Sequence, residues 1–140
     1  MNIRRMTIDD IERLNFDEQW KADNYVAYLK NEVGPAWVIE SDSGELLCGF
    51  GAAFLWQGVC EVWFNLVKKE KTICVIRLVK RYLAEQVKTL GIKRMHATVK
   101  CDFEAGRKFV ESLGFRCETP FGMKNYNPDG SAAYLFSRVF

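Results

Sequence analysis

The chain has 140 residues, of which 49% are hydrophobic and 14% aromatic, which predicts one globular domain over residues 1–140 and excludes a disordered chain. Its net charge of +2 excludes a protein that is strongly basic or acidic as a whole. No apolar run approaches the length of a membrane span, and the polar N-terminus lacks the apolar core of a signal peptide. We therefore predict a cytoplasmic protein with no membrane contact.

The first half of the chain is predicted to contain four strands and two helices. Thr7 is the predicted N-cap of the first helix and Asp10 its capping acid, and Gly34-Pro35 ends the second helix. The pattern of apolar residues gives strands at Asn2–Met6, Ala36–Glu40, Leu46–Leu55 and Val59–Val67, a helix after Thr7 and a helix at Asp23–Glu32.

The second half is predicted to contain two helices and three strands. The helices are Ile73–Leu90 and Phe103–Leu113, each followed by a glycine; the strands are Arg94–Val99, Phe115–Thr119 and Ala132–Val139, and Asn127-Pro128-Asp129-Gly130 forms a turn. The resulting order, β-α-α-β-β-β-α-β-α-β-β, predicts an α/β fold (a mixed α+β sheet). Its sheet has six to seven mostly antiparallel strands, with about four helices on both faces.

Charge is distributed unevenly along the chain. Residues 1–66 carry five Lys and Arg against eleven Asp and Glu, whereas residues 67–100 carry ten Lys and Arg against two Glu. A basic block of this kind favours an anionic ligand, and the alternative is a solvated helix face. Nucleic acid is disfavoured as the partner, because the basic residues are not interleaved with stacking aromatics.

The junction between the strand Val59–Val67 and the helix Ile73–Leu90 is a candidate phosphate site. Helix N-termini hold anions with backbone N–H groups and the helix dipole. Such turns usually contain glycine, and this one contains three lysines instead. The five cysteines show no metal-ligand spacing, so we predict no metal site, and two of them, Cys60 and Cys74, are predicted to lie in the core.

Several segments, taken in order, resemble the GCN5-related N-acetyltransferase (GNAT) fold. They are Ile3-Arg4-Arg5-Met6-Thr7-Ile8-Asp9-Asp10, which is similar to the opening strand and helix of the family, and Ala105 through Phe115, which ends in its Leu-Gly-Phe signature. The resemblance is closer to the small GNAT-like proteins of tailed phages and prophages, through Trp56 to Trp63, His96-Ala97-Thr98-Val99, Phe103 to Phe115 and Tyr126-Asn127-Pro128-Asp129-Gly130.

The resemblance implies an acetyl-CoA site at the end of the fourth strand and the start of the following helix. In the family, the pantetheine arm pairs with exposed strand backbone and the pyrophosphate lies on the helix N-terminus. The corresponding residues here are Asn65, Leu66, Val67, Lys68, Lys69, Lys71, Thr72 and Ile73. The family's glycine-rich loop signature is missing, because Ile73, Cys74 and Val75 stand where glycines are expected.

The resemblance also implies catalytic residues. Glu61 lies where some members keep a catalytic glutamate, which makes it the candidate base. Val110 replaces the late tyrosine that serves many members as the acid, so Tyr126 becomes the nearest candidate phenol. His96 could face the cofactor from the fifth strand. A backbone N–H near Asn65–Leu66 would stabilise the charge that develops on the acyl oxygen.

Two functions are favoured by the sequence, and a small basic nucleic-acid-binding module is a third, less favoured interpretation of the charge block. One is transfer of an acetyl group from acetyl-CoA to a primary amine, with an acceptor that the sequence does not specify. The other is a non-catalytic virion or assembly protein that binds another phage protein, either in the host cytoplasm or in the virion. The resemblance places an acidic N-terminal region at the acceptor side, which would suit a cationic amine: Asp9, Asp10, Glu12, Asp17, Glu18 and Asp23.

Overall fold

The architecture is taken from a computed structural model. It describes residues 1–14, 16, 19–67 and 69–140, with the backbone alone at positions 19, 20 and 69. The first half contains β1 (Asn2–Arg5), α1 (Ile8–Arg13), α2 (Gln19–Lys30), β2 (Ala36–Glu40), β3 (Leu46–Trp56) and β4 (Val59–Leu66). After a 3-10 turn at Lys69–Lys71 come α3 (Thr72–Leu90), β5 (Arg94–Lys100), α4 (Glu104–Ser112), β6 (Arg116–Cys117) and β7 (Ala133–Val139).

The strands form one seven-stranded sheet in the order β1-β2-β3-β4-β5-β7-β6. β4 and β5 pair in parallel, whereas β1 with β2, β2 with β3, β5 with β7 and β6 with β7 pair antiparallel. The predicted mixed, mostly antiparallel sheet and the predicted element order are therefore confirmed. The largest boundary error concerns α2, which begins at Gln19 instead of Asp23, and β6 is shorter than its predicted range.

Two compact units divide the described chain, and each is treated by itself. The first comprises residues 1–54 and 62–77, and the second comprises residues 55–61 and 78–140. Side chains from α1, β2, β3 and the residues that directly follow β1 and α1 form a core cluster in the first unit, against which α2 and Trp63 pack: Met6, Ile11, Leu14, Ala36, Val38 and Leu46. This apolar burial is the main favourable contribution to folding of this unit.

At two glycines of the first unit, a side chain would collide with a close neighbour. A Cβ added at Gly34 would lie 1.8 Å from the carbonyl oxygen of Ala52, to which the Tyr28 hydroxyl donates a hydrogen bond. A Cβ at Gly51 would lie 2.7 Å from Nε1 of Trp63. Any other residue at these positions would force the backbone or the indole to move.

A buried ion pair fixes the start of the first unit. Asp10 is 2% exposed and accepts hydrogen bonds from both terminal nitrogens of Arg4, each at 2.8 Å. It also accepts a hydrogen bond from the backbone N–H of Thr7, which confirms its predicted role as the capping acid of α1. Burial alone would raise the pKa of Asp10, but the hydrogen bonds from Arg4 and Thr7 lower it to about 2.

The second unit is built around β5. All seven residues of β5, Arg94–Lys100, pair with β7, and Val110 of α4 is buried. Burial alternates along β5: Met95, Ala97 and Val99 are buried, whereas the residues between them are only partly so. One face of β5 is therefore apolar, and the other carries Arg94, His96, Thr98 and Lys100.

The cysteine predictions had mixed outcomes. Cys60 is fully buried, as predicted, and burial raises the pKa of its thiol to about 11. The prediction for Cys74 was wrong, because this residue is exposed on the first turn of α3, next to the buried Val75. Of the helices in the described part of the chain, none combines the length and apolar character that a membrane crossing requires.

Candidate active site

The residues predicted to hold the cofactor lie in the first unit, at the end of β4 and the start of α3. The 3-10 turn leads into α3, whose first residue is Thr72, and both Lys71 and Ile73 are exposed, Ile73 by 67%. Lys68 lies outside the described residues, and of Lys69 only the backbone is described. The start of α3 and the Lys71 cation therefore lie at the surface of this unit, where the positive end of the helix dipole is found.

At the end of β4, backbone N–H groups point alternately towards β3 and away from it. The N–H of Asn65 donates to the sulfur of Cys48, and that of Val67 donates to the carbonyl of Leu47 at 2.9 Å, so both point towards β3. Successive residues of a strand direct their backbone groups to opposite edges. The N–H of Leu66 therefore points away from β3, five residues beyond Glu61, the last β4 residue that pairs with β5.

This geometry separates the predicted cofactor residues into two groups. Asn65 and Val67 use their backbone N–H groups within the sheet, and the Asn65 side chain donates to Leu14 at 3.4 Å. Leu66, Lys71 and Thr72 present a backbone edge, a cation and a helix start, the groups that a pantetheine diphosphate requires. The residues present thus fit such a ligand, with the Ile73 side chain as the crowding element.

Glu61 lies in the second unit, on the partly exposed face of β4. It is the β4 residue directly opposite His96 of β5, and His96 in turn lies opposite Ser137 of β7. Cys60, the preceding residue, is fully buried on the other face. The strand alternation predicted for Cys60 and Glu61 is therefore observed, and it leaves the Glu61 carboxylate beside polar neighbours.

Tyr126 lies within electrostatic reach of Glu61. Its hydroxyl shares a hydrogen bond with the Thr98 side chain of β5. Partial desolvation and the negative charge of Glu61 raise the pKa of the Tyr126 phenol, and the hydrogen bond with Thr98 opposes this shift. The two residues proposed from the sequence as base and acid are therefore brought together, although 65 residues separate them in the chain.

The β6–β7 loop holds Tyr126 in place. The predicted turn after Tyr126 is present: the N–H of Gly130 donates to the Asn127 carbonyl at 2.8 Å. Asp129 of this turn forms an ion pair with Lys100 at the end of β5, with 2.8 Å between Nζ and Oδ2. This ion pair fixes the loop to the strand that carries Thr98.

Val110, which the resemblance places at the position of the family tyrosine, is 4% exposed and belongs to the core.

The sequence did not reveal every polar group of the face that carries Glu61. Thr98, Ser137 and Glu118 were not singled out, although the alternation of β5 could have placed Thr98 on the same face as His96. Glu118 could not be found in this way, because its position depends on its hydrogen bond from Ser137, 19 residues later.

The acidic N-terminal residues do not form one uniform acceptor wall. Asp10 is committed to its buried ion pair with Arg4, whereas Asp9 and Glu12 are exposed on α1. Asp17 and Glu18 lie outside the described residues. The negative field that the sequence suggested is therefore weaker than the residue count implies, since a paired carboxylate contributes little net charge.

Comparison with solved structures identifies the fold. The chain superposes on a putative phosphinothricin N-acetyltransferase with a TM-score of 0.78 at 14% identity, covering 99% of this chain and 98% of the other. It superposes on a chimera of the Vibrio cholerae spermidine N-acetyltransferase SpeG and hSSAT with a TM-score of 0.75 at 13% identity, covering 99% and 96%. The ribosomal-protein-S5-alanine acetyltransferase of Vibrio fischeri gives 0.71 at 15%, covering 98% and 91%.

The chain therefore has the GNAT fold, the fold of these N-acetyltransferases. At these identities the likeness establishes architecture and leaves activity to be argued from the site. No family model matches the sequence, and no curated protein matches it significantly.

Proposed function

We propose that this protein is an N-acyltransferase that moves an acetyl group from acetyl-CoA to a primary amine. The observation that carries the proposal is the convergence of Glu61, Tyr126 and Thr98 on one face of the second unit. A carboxylate and a phenol within electrostatic reach of each other supply the base and the acid that amide formation needs. The GNAT fold of the chain supports the same reaction class.

In this proposal each residue has a defined task. Glu61 accepts a proton from the amine nitrogen as that nitrogen attacks the acyl carbon. Tyr126 donates its phenolic proton to the sulfur as the C–S bond breaks. Its raised pKa keeps the phenol protonated at neutral pH until that step, and solvent water returns the proton afterwards. Acetyl-CoA supplies the activated acyl group. A backbone N–H near Leu66 remains the donor to the acyl oxygen that the sequence resemblance implies.

The cofactor would be held by the first unit. The backbone N–H groups at the start of α3, the Lys71 ammonium and the open edge of β4 at Leu66 supply the donors. Of the lysines predicted for this task, Lys68 and Lys69 remain proposals from the sequence. The proposed acceptor is a primary amine.

Titration with acetyl-CoA tests the cofactor site. We expect acetyl-CoA to raise the melting temperature, with about 1.4 kcal/mol of stabilisation when its concentration is ten times its dissociation constant. We expect Lys71→Glu to weaken binding by roughly tenfold, because it reverses a charge close to the diphosphate. Calorimetry gives both dissociation constants.

The matched control is Lys88→Glu, which makes the same charge change at an exposed site in the last turn of α3. This variant should bind acetyl-CoA as tightly as the wild type. If the wild type shows neither heat nor a rise in melting temperature with millimolar acetyl-CoA, the proposed function is wrong. Equal losses in both variants would remove Lys71 from the site.

The alternative proposal is a non-catalytic virion or assembly protein of the phage type suggested by the sequence. It is favoured by the exposed Ile73 and Cys74 side chains, which replace the glycines that a diphosphate approaches closely, and by the core position of Val110. An Ile73→Gly variant separates the two functions. A tighter acetyl-CoA complex in this variant supports a crowded but working site, whereas no binding in either protein supports the alternative.

A further inference from the structure

A row of polar side chains crosses the second unit at the level of Glu61. Cross-strand register places Glu61 of β4 opposite His96 of β5, His96 opposite Ser137 of β7, and Ser137 opposite Arg116 of β6. Side chains directly opposite each other in a sheet lie on the same face and about 5 Å apart at Cβ. The row therefore connects the proposed base with the far edge of the sheet.

His96 is the unexplained member of this row. Both of its ring nitrogens are buried, and neither has a hydrogen-bond partner among the described residues. A buried polar group without a partner costs about 1–3 kcal/mol, and native structures retain few of them. Because a neutral imidazole has one donor and one acceptor nitrogen, this ring is equipped to receive a proton on one side and release one on the other.

Charged and hydroxyl groups surround His96 from several elements of the unit. Glu61 faces it from β4 and Ser137 from β7, while Arg94 and Thr98 flank it on β5. Beyond Ser137, Glu118 accepts hydrogen bonds from Arg94 and from the Ser137 hydroxyl, the latter at 2.6 Å. Tyr126 approaches through Thr98, and Arg116 ends the row.

Glu118 is suited to stabilise a protonated His96 without taking its proton. The hydrogen bonds from Arg94 and Ser137 lower the pKa of Glu118 to about 2, and Glu118 interacts electrostatically with His96. It therefore stays a carboxylate at neutral pH. Glu118 and Ser137 also line an open surface cavity of about 520 Å³, together with Gly114, Arg116, Arg138 and Val139, so solvent water reaches this end of the row.

We propose that His96 is a positioning residue that carries the substrate proton from Glu61 to the cavity beside Glu118; this rests on the proposed acetyl transfer. The amine N–H bond breaks and its proton passes to the Glu61 carboxylate. Glu61 then returns to the carboxylate form by giving that proton, through one bridging water, to the neutral imidazole. The imidazolium passes the proton to the Ser137 hydroxyl, which lies opposite His96 and lines the cavity, as that hydroxyl releases its own proton to cavity water, while the ionised Glu118 stabilises the positive charge.

This arrangement explains why both ring nitrogens lack partners among the described residues. A histidine locked by a hydrogen bond to a backbone carbonyl would have one tautomer and one useful nitrogen. Both nitrogens are buried from bulk solvent, so an internal water serves as the missing partner on the Glu61 side. The row also lets Glu61 lose its proton without a competing return to the amine, as repeated turnover requires.

The first experiment compares His96→Gln and His96→Asn with the wild type. Each variant keeps an amide in place of the imidazole but cannot be protonated. With acetyl-CoA and a panel of primary amines, we expect kcat to fall at least about tenfold, with KM for acetyl-CoA within about twofold. The pH dependence of kcat should lose the step that depends on His96. Free imidazole in the buffer should partly restore the kcat of a His96→Ala variant.

The outcomes separate this proposal from the proposed function. If the wild type acetylates no amine and binds no acetyl-CoA, the proposed function fails and this proposal falls with it. If the wild type is active and His96→Gln keeps its kcat and its pH profile, the relay alone is wrong. A loss of kcat with an unchanged pH profile and no imidazole rescue would show that His96 has only a structural role.

A second measurement requires no turnover. His96 is the single histidine of the chain, so its imidazole gives one set of nitrogen and proton NMR resonances. We expect these resonances to shift at constant pH in Glu61→Gln and in Glu118→Gln, because each change removes a charged group that faces the imidazole. A control at the exposed Glu111 should leave the resonances unchanged. Identical spectra in all four proteins would overturn the proposal.

Discussion

Replacing Glu61 by glutamine is expected to lower kcat for acetyl transfer by about 10²- to 10⁴-fold, the usual contribution of a general base. The amide keeps the size of the side chain and removes its ability to accept a proton. Affinity for acetyl-CoA should stay within about twofold, because the proposed cofactor donors are at Leu66, Lys71 and Thr72. Steady-state kinetics with a primary amine, together with calorimetry for acetyl-CoA, measure the two quantities separately.

Glu111→Gln is the matched control for this experiment. Glu111 is exposed on the last turn of α4 and loses the same charge, so its kcat should equal that of the wild type. If Glu61→Gln and Glu111→Gln turn over equally fast in an active protein, Glu61 is not the base. A parallel loss of acetyl-CoA affinity in Glu61→Gln would instead assign it to binding.

The largest expected loss of stability follows from replacing Asp10 by asparagine. This change removes the more deeply buried of the two carboxylates that pair with Arg4, at a site that is 2% exposed. We expect the free energy of unfolding at pH 7 to fall by about 3 kcal/mol, the typical cost of breaking a buried ion pair. Urea unfolding followed by tryptophan fluorescence measures it, with Asp9→Asn on the exposed face of α1 as the control within about 0.5 kcal/mol of the wild type.

The pH dependence of Asp10 gives this prediction a second test. The pKa of Asp10 is about 2 in the folded protein and 3.8 for an ordinary aspartate. The ionised carboxylate therefore stabilises the folded state fully when the pH is above the unfolded-state pKa, and this stabilisation is lost as the pH falls through the folded-state pKa. The difference corresponds to about 2 kcal/mol. The wild type should lose this amount between pH 5 and pH 2 relative to Asp10→Asn. Parallel pH curves for the two proteins would contradict the assignment.

The sequence predicted the bounds of a helix or strand best where turn-forming residues stand at both of its ends. β2 lies where it was predicted, at Ala36–Glu40, because Gly34-Pro35 precedes it and a turn at Ser41–Gly44 follows, with Gly44 at φ 81°. The start of α2 was missed: the helix was predicted from Asp23 but begins at Gln19, and Ala22 within the added turn packs against the core cluster. Cys74 was misplaced because its neighbour Val75 occupies the buried stripe of α3, one helical step of about 100° away.

Within the candidate site, the sequence could predict only which face of a single strand each residue lies on. The two-residue alternation along β4 is enough to separate Glu61 from Cys60 on opposite faces of the sheet. The contact between Tyr126 and Thr98 depends on the path of the β6–β7 loop and on the ion pair between Asp129 and Lys100. Such long-range pairing has no periodic signal in the chain, and the partnership of Glu118 with Arg94 is hidden for the same reason.

The exposure of Cys74 makes chemical footprinting of the cofactor site practical. Cys74 follows Thr72 and Ile73 on the first turn of α3 and is accessible, whereas Cys48 and Cys60 are buried. Cys117, exposed on β6 in the second unit, provides an internal reference in the same molecule. A bound diphosphate at the start of α3 should slow alkylation of Cys74 and leave that of Cys117 unchanged, which mass spectrometry of the labelled peptides would quantify. Equal rates with and without acetyl-CoA would argue against a ligand at this helix start.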